Sequence, residues 1–442
     1  MRRSTNVDQR LCPDPDAGYE GAFPTRPKPM TMTRTERTYY LIFGWYSMSW
    51  SFLGPMYALF LLSRGLDLFQ INVVLATYFI VSFLFDVPTG AIADLAGRKV
   101  SFLLSCAVRT GAFVMYYFAQ SFTDCLIAEF VDAIGTTLAN GALDAWAVDS
   151  MQAEGGQPAD RFFARAQMLS RSLMIGSGLV SGYIATYNMA LPWLVGAAGF
   201  GVTGVLALVF MREPPRAQQV GARPSFLRTM NGGLAAVRQT PVLLTMCILT
   251  VTIAFGVMPA HQLWAPRVKA VSGQEVWVIG WIWALLNVAA VIGSAVIPRM
   301  LDQFAREYVL CAMTLWRGVM LAIAALATSV YPVVAGLLLI EMGFGVSEPL
   351  VQAWMNEHIA PEQRATVLSV RSMSFTLGGA IGLVCIGWIA RESGIPAAWL
   401  VSSVVLALSA PGYLLLGRQA RRVATPIITP HGVTPAIPPA LG

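Results

Sequence analysis

Gly90-Ala-Ile-Ala-Asp94-Leu-Ala-Gly97-Arg98-Lys99 joins two long apolar runs and decides the fold. The glycines at 90 and 97 allow a tight crossing and a turn between two hydrophobic helices. Asp94, Arg98 and Lys99 place charge where such helices leave a bilayer, because only helices with internally satisfied backbones cross the hydrocarbon region. The stretch therefore predicts a cytosolic hairpin between two membrane-spanning helices.

The composition is that of a membrane protein. Hydrophobic residues make up 56% of the 442 residues and charged residues 12%, and the mean hydropathy is +0.60, which excludes a water-soluble protein of this length. A spanning helix needs about 20 mostly apolar residues, and no ten-residue alternation typical of a barrel occurs. We predict an all-α polytopic protein with twelve transmembrane helices, near 39–60, 71–92, 100–119, 123–146, 164–187, 190–210, 241–262, 276–298, 306–327, 332–355, 364–389 and 396–416.

The basic residues predict the orientation. Most of the 30 lysines and arginines fall on one side of the predicted spans if the N-terminus is inside, and cytosolic loops carry the excess of positive charge. Both termini are therefore expected in the cytosol, with the chain in the cell membrane. The net charge of +6 reflects this asymmetry and does not indicate nucleic-acid binding. The six cysteines are scattered without a CxxC pair, so we expect no metal site or other cofactor.

The opening stretch resembles the signature loop between helices 2 and 3 of the major facilitator superfamily of secondary transporters. The resemblance covers about residues 38–418. It implies that Gly90, Asp94, Gly97, Arg98 and Lys99 form a conformational latch that holds two halves of the protein together when it opens outward. The alternative is that Asp94 and Arg98 are a solvated pair that merely caps a turn.

The second half of the chain repeats the first. At one fixed offset, Arg109 matches Arg317, Gly135 matches Gly343 and Ala145-Trp146 matches Ala353-Trp354. We therefore predict two pseudo-symmetric six-helix bundles with a transport cavity between them. The latch loop keeps Asp302 and Arg306 in the second half but loses both glycines, which predicts a weaker copy of the same contact.

Five segments are expected along the chain: a disordered cytosolic segment at 1–37, bundles at 38–210 and 241–418, a cytosolic linker at 211–240 and a disordered tail at 419–442. Apolar residues recur at helical spacing within the linker, which predicts an amphipathic helix on the inner membrane face. An unstructured chain is the alternative for 214–224.

Ionisable residues inside spans are functional candidates by default. Equal depth on antiparallel neighbours predicts a Glu348–Arg371 pair, and the seven-residue spacing of the acids and of the arginines adds Glu341 and Arg364 as a second rung. The remaining candidates are Asp86, Arg109, Glu129, Asp132, Asp144, Arg171 and Arg317.

Three further pairs are expected from depth along the helices: Arg109 with Asp132, Arg317 with Glu341, and Arg171 with Asp144. For the pairs of Arg109 and Arg317, one interpretation is a structural ion pair that never titrates, since an unpaired charge in a span is costly. The other is that one acid exchanges its arginine for a proton during a transport cycle. Asp86, Asp132 and Glu341 are our candidates for that acid.

Aromatic residues supply candidates for a cavity wall that suits a bulky amphipathic or cationic substrate. These are Trp50, Tyr57, Trp281 and Trp283. The alternative is an interfacial belt, which we favour for Trp264 and Trp277. His261 is expected at the outer end of helix 7, in a structural or a titrating role.

Three short pieces resemble the drug:proton antiporter branches of the superfamily, in particular tetracycline and macrolide efflux pumps. They are Gly141–Asp149, Leu263–Arg267 and Arg364–Ser369. The resemblance implies a transporter in the lipid bilayer that exports small amphipathic molecules and draws on the proton gradient. We expect it to function as a monomer. The alternative is a solute importer or facilitator. An enzyme is disfavoured because no Ser-His-Asp set, HExxH motif or P-loop occurs.

Overall fold

A computed structural model describes residues 32–154, 160–213, 240–273, 275–358 and 361–424. Within these ranges the chain folds into helices joined by short turns, as the all-α prediction requires. The predictions for the N-terminal segment before residue 32, for 214–239 of the linker and for the tail from residue 425 lie outside the described residues.

The first half contains eight helices: α1 Arg34–Ser51, α2 Tyr57–Ser63, α3 Leu68–Ala96, α4 Arg98–Phe118, α5 Phe122–Ala139, α6 Ala142–Ala153, α7 Asp160–Tyr187 and α8 Leu191–Phe210. The second half contains six: α9 Pro241–Ser272, α10 Val276–Leu301, α11 Arg306–Leu326, α12 Val330–His358, α13 Pro361–Ser409 and α14 Gly412–Ala424.

These helices provide the twelve predicted crossings. In the described part of the chain, nine helical stretches are both long and apolar enough to cross a membrane. The last of them, Val367–Arg422, holds two crossings, because the chain turns at Gly394, where φ is +83°. The less apolar helices α1, which continues through a break into α2, and α7 supply the others.

Short sequence signals start the helices of the first half. Capping boxes at Thr33 and Asp67 open α1 and α3 by satisfying backbone N–H groups that lack helical partners. Gly97 alone links α3 to α4, with φ at +115°, where a side chain would be strained. A Cβ on Gly90 would meet no atom of the described residues within 4 Å, so the tight crossing predicted there is not seen among them.

The two halves meet chiefly along two helix pairs, with a smaller contact between α2 and α9. Helix α3 packs on α13, and α7 packs on α10. We call the end of the molecule that carries Gly90–Lys99 the motif end and the opposite end the far end. Toward the far end, the backbones of α7 and α10 approach closely, since a Cβ on Gly182 would lie 3.1 Å from the Cα of Gly280. Such contacts require small residues.

Side-chain contacts also hold the two bundles together toward the far end. Asp67 pairs with Arg391 at 3.6 Å, and the ring of Tyr183 stacks on that of Trp277 with centroids 5.8 Å apart. Toward the motif end the same helices carry exposed apolar residues, with Leu95 on α3 79% exposed. The described contacts thus close the bundles against each other toward the far end.

Candidate functional site

The hairpin at Gly90–Lys99 holds its charges in local contacts. Arg98 Nη1 lies 3.3 Å from Asp94 Oδ1, and Arg98 Nε lies 3.8 Å from Asp149 Oδ2 on α6. The side chains of Asp94 and Arg98 are both about one-third exposed, so the pair contributes little to folding stability. These contacts lie at the motif end, and the latch role of these residues stays a prediction.

Lys99 and Glu213 tie the start of α4 to the end of α8. The backbone N–H groups of Arg98 and Lys99 donate to the two carboxylate oxygens of Glu213, at 2.9 and 3.1 Å. The Lys99 ammonium donates to the carbonyls of Leu208 and Met211, at 2.7 and 2.6 Å. An acid at a helix N-terminus and a cation at a C-terminus satisfy orphan backbone groups and complement the helix dipoles. The sequence did not single out Glu213.

The second copy of this contact differs from the prediction. Asp302 follows the last residue of α10 and Arg306 opens α11, but within the described chain no ion pair joins them. The connection here runs over residues 302–305, whereas Gly97 alone links α3 to α4. In the first repeat, the one-residue link at Gly97 holds Asp94 and Arg98 close together. The longer turn of the second repeat does not hold Asp302 and Arg306 in the same relative position.

Arg109 on α4 and Asp132 on α5 form a buried ion pair. Arg109 Nε lies 2.8 Å from Asp132 Oδ1, and Nη2 lies 3.2 Å from Oδ2. Arg109 Nη1 also donates to the hydroxyl of Tyr46 at 2.9 Å, and its guanidinium lies 4.3 Å from the ring centroid of Phe200. The predicted pairing is present, and its two-point geometry is the strong form of this contact.

Glu129 lies one helical turn from Asp132 and has a different environment. The hydroxyls of Tyr57 and Tyr116 both donate to its Oε2, Tyr57 at 3.0 Å. Glu129 is 4% exposed, and no cation within the described ranges approaches its carboxyl group as an ion-pair partner. Tyr57 therefore packs against the core of the first bundle, and it does not line either of the two cavities described below.

Glu341 pairs with His261 on α9 rather than with Arg317, since His261 Nε2 lies 3.3 Å from Glu341 Oε1. The predicted Arg317–Glu341 pair is wrong because depth along a helix does not fix the direction in which a side chain points. His261 also lies inside a helix and not at its end, because α9 continues through Pro259 and Pro266 to Ser272.

Glu348 on α12 and Arg371 on α13 are paired as predicted, with Arg371 Nη2 at 2.9 and 3.1 Å from the two carboxylate oxygens. The predicted second rung requires Glu341 to meet Arg364, whose side chain lies outside the described residues. The two helices are antiparallel, so Glu341 lies seven residues toward the far end and Arg364 seven residues toward the motif end. At 1.5 Å per residue the two positions are roughly 21 Å apart in height.

Two further acids accept hydrogen bonds from neutral partners. Asp144 accepts from the hydroxyl of Tyr39 at 2.6 Å, and no ion pair joins it to Arg171 in the described structure. The break at Gly141, where φ is +70°, separates α6 from α5 and turns Asp144 toward α1. Asp86 is exposed on α3 and accepts from the side-chain amide of Asn140 at 2.8 Å.

Two cavities lie beside these charges. The cavity in the first bundle has a volume of about 290 Å³ and is lined by Trp50, Tyr46, Tyr78, Arg109 and Asp144, among others. The cavity in the second bundle is about 50 Å³ and is bounded by Arg317, Glu348 and Arg371. Trp50 thus borders a cavity, and its contact with a substrate stays a prediction.

The tryptophans of α10 lie at the seam between the bundles. The indole of Trp283 covers Gly54, where a Cβ would lie 2.7 Å from Cζ2, and Trp281 donates from Nε1 to the hydroxyl of Tyr183 at 3.0 Å. They therefore do not line the described cavities. Trp264 is 5% exposed and stacks on Trp283, so its predicted place in an interfacial belt is wrong.

Comparisons with known proteins give a consistent result. A family model described as "Sugar transporters, 12 TM" matches residues 24–348, and one described as "Major Facilitator Superfamily" matches 271–440. The uncharacterized MFS-type transporter YxaM of Bacillus subtilis is 23% identical over 363 residues, which cover 80% of this chain and 88% of the relative. A protein of Agrobacterium vitis with the name "Putative tartrate transporter" is 23% identical over 347 residues, covering 72% of this chain and 74% of the relative.

Solved structures share the fold at low identity. The nucleoside transporter NupG superposes with a TM-score of 0.74 at 12% identity, over 87% of this chain and all of the NupG chain. A bacterial homolog of the human lysosomal transporter Spinster, in an inward-facing and unoccupied conformation, gives 0.69 at 14% identity, over 88% of this chain and 97% of that one.

Proposed function

Because the chain belongs to the major facilitator superfamily, whose members are transporters and not enzymes, we propose that it is a proton-coupled secondary active transporter of small organic solutes. The observation that carries the proposal is the pair of seams, α3 on α13 and α7 on α10, whose described contacts close the far end. We propose that this conformation is open at the motif end. Rocking two bundles about a central site exposes that site to one side at a time. The protein is proposed to act as a monomer, with bundles at 38–210 and 241–418.

The motif end is proposed to face the cytosol, together with both termini. The excess of lysine and arginine in the segments at that end supports this orientation. The described conformation is then open to the cytosol. In the opposite conformation, Asp94 and Arg98 would lie where the two bundles come together, which is the latch role that the family resemblance implies.

The proton is proposed to bind at the acids of α5. Glu129 and Asp132 are three residues apart and so share one face of the helix, but a single guanidinium, that of Arg109, is paired with them. Two carboxylates and one buried cation leave one negative charge uncompensated, which is costly in a medium of low dielectric constant. A bound proton removes that charge, and Glu129 is the acid that has only tyrosine hydroxyls as partners.

Export of small amphipathic compounds is the first candidate for the direction and the cargo. The cavity of the first bundle combines aromatic faces, from Trp50, Tyr46 and Tyr78, with the carboxyl group of Asp144. Aromatic faces and a nearby acid suit a bulky cation. The short resemblances to drug:proton antiporters point the same way.

Transport of a carboxylate-bearing solute is the second candidate. Arg317 is buried in the second bundle without a carboxylate partner among the described residues, and the Agrobacterium vitis relative is named for tartrate. An anionic solute would be repelled by Asp144 and attracted to Arg317. The two candidates therefore predict cargo of opposite charge.

Flux measurements in proteoliposomes with an imposed pH gradient test the proposal. Ethidium and radiolabelled L-tartrate serve as the cationic and anionic probes. We expect the gradient to drive flux of one probe in the wild type and not in Glu129→Gln, which should retain gradient-independent exchange. Glu275→Gln, at an exposed helix start, is the matched control. If flux through the wild-type protein does not depend on the pH gradient, proton coupling is refuted.

A further inference from the structure

In each repeat, an arginine at the equivalent position packs its side chain against the backbone of a glycine on the neighbouring helix. A Cβ on Gly135 would lie 2.5 Å from Cγ of Arg109, and a Cβ on Gly343 would lie 2.8 Å from Cγ of Arg317. In each bundle the arginine stem therefore crosses a helix at a glycine. The architecture that supports the arginine is the same in both halves.

The acid that balances the arginine is present in the first half only. Asp132 precedes Gly135 by three residues, and the residue three before Gly343 is Ile340, which is 9% exposed and packs in an apolar cluster. The repeat thus keeps the guanidinium and replaces its carboxylate with a hydrocarbon side chain.

The neighbouring acids of the second bundle are engaged elsewhere. Both carboxylate oxygens of Glu348 accept from Arg371, and Glu341 lies against His261. Within the described chain neither forms an ion pair with Arg317. Glu348 is half exposed and pairs with Arg371 at the cavity boundary.

Arg317 itself is 3% exposed. Its Nε and Nη2 atoms make no hydrogen bond in the described part of the structure, and its guanidinium lies 5.4 Å from the ring centroid of Phe344. A buried cation without a counter-charge is strongly unfavourable. A negative group from outside the described residues would therefore stabilise this site.

The cavity at Arg317 has room for such a group. Its volume of about 50 Å³ exceeds the share of one water molecule in the liquid, about 30 Å³. Ser347 and Tyr413 add hydroxyl groups to its wall. A planar guanidinium fork matches the two oxygens of a carboxylate.

We propose that Arg317 binds a carboxylate group of the transported solute. The inference rests on the proposed transport function and assigns its substrate class: a small organic acid. Binding would supply the charge that Asp132 supplies to Arg109 in the other bundle. An inorganic anion has the same charge and is the alternative that the experiment separates.

Thermal unfolding of the purified full-length protein tests this inference without a transport assay. Sodium benzoate and sodium L-tartrate are the carboxylate probes, benzamide is the neutral match to benzoate, and sodium chloride is the inorganic control at equal ionic strength. We expect at least one carboxylate to raise the unfolding temperature by about 2 °C at saturation, with no rise from benzamide or chloride. Arg317→Gln should abolish the rise, and Arg422→Gln, at an exposed position of α14, should keep it.

Ile340→Asp provides a second variant that does not remove the arginine. It restores the acid of the first repeat, so the new carboxylate should occupy Arg317 and abolish the response to the probes. The inference is overturned if neither carboxylate stabilises the wild type, if chloride stabilises it equally, or if the rise persists in both variants.

The outcomes separate this inference from the transport proposal. If the gradient drives ethidium flux but no carboxylate raises the unfolding temperature, the transport proposal is retained and the Arg317 site is rejected. Carboxylate stabilisation that depends on Arg317, without gradient-driven flux of either probe, would establish the site and count against proton-coupled transport.

Discussion

Trp283 of the second bundle seats its indole against Gly178 of the first, with Cδ1 and Nε1 in the space that a side chain at 178 would need. The same indole covers Gly54 on the other side. A large residue of one half thus fills a notch made by two glycines of the other. This contact belongs to the seam between α7 and α10, and we expect opening of the far end to break it.

Gly178→Val should therefore favour the conformation that is open at the far end. The added methyl groups cannot coexist with the indole in its present place. Spin labels at Thr123 and Glu392, exposed positions at the far ends of the two bundles, would report a longer distance in the variant by pulsed electron resonance. Gly176→Val is the control, because a Cβ at 176 meets open space. Equal distances in both variants would contradict the proposed role of this notch.

Replacing the two equivalent arginines should have opposite effects on stability. Arg109→Leu leaves the buried carboxylate of Asp132 uncompensated and is expected to cost about 3–5 kcal/mol. Arg317→Leu removes an uncompensated charge and is expected to be neutral or stabilising. Thermal unfolding in one detergent compares them, with Arg109→Leu/Asp132→Leu as the control that should recover part of the loss. Similar losses for both single variants would show that Arg317 has a partner.

Glu348 and Arg371 should show weak coupling in a double-mutant cycle. The Glu348 side chain is 51% exposed, so solvent screening limits the pair to about 1 kcal/mol or less. We expect Glu348→Gln and Arg371→Gln to be slightly less than additive in their effect on unfolding. Strictly additive losses would mean that the contact contributes nothing to stability.

Asp94→Asn should cripple transport while leaving expression and the unfolding temperature nearly unchanged. Its exposed ion pair with Arg98 contributes little to folding, and its proposed importance lies in the conformation that closes the motif end. Asp302→Asn is the matched control from the second repeat, where no pair with Arg306 is seen within the described residues, and it should transport better. Unimpaired flux of the gradient-driven probe in Asp94→Asn would remove the latch role.

The sequence was sufficient for the fold and for some contacts. Apolar runs of spanning length and the repeated arginines predicted the two bundles, and equal depth on antiparallel helices predicted Arg109–Asp132 and Glu348–Arg371. Depth is set by residue number and the rise per residue. A prediction from depth is therefore correct only where the two side chains also point toward each other.

The errors arise where rotation or helix breaks decide the contact. Glu341 has the predicted height but points toward α9, where it meets His261. Asp144 is redirected by the left-handed residue Gly141. Glu129 was recognised as an intramembrane acid, but its environment depends on two tyrosine hydroxyls from separate helices, α2 and α4, and no local pattern encodes that.

The hydrogen bonds from the start of α4 to the Glu213 carboxylate affect where the gene could be divided to express the protein as two fragments. Glu213 follows α8 and is the last described residue before 240, yet its carboxylate serves the backbone of a helix formed a hundred residues earlier. An N-terminal fragment that stopped at Met211 would lose this staple and should be degraded in the cell. A fragment that ran through Glu213 would keep these two hydrogen bonds to the start of α4.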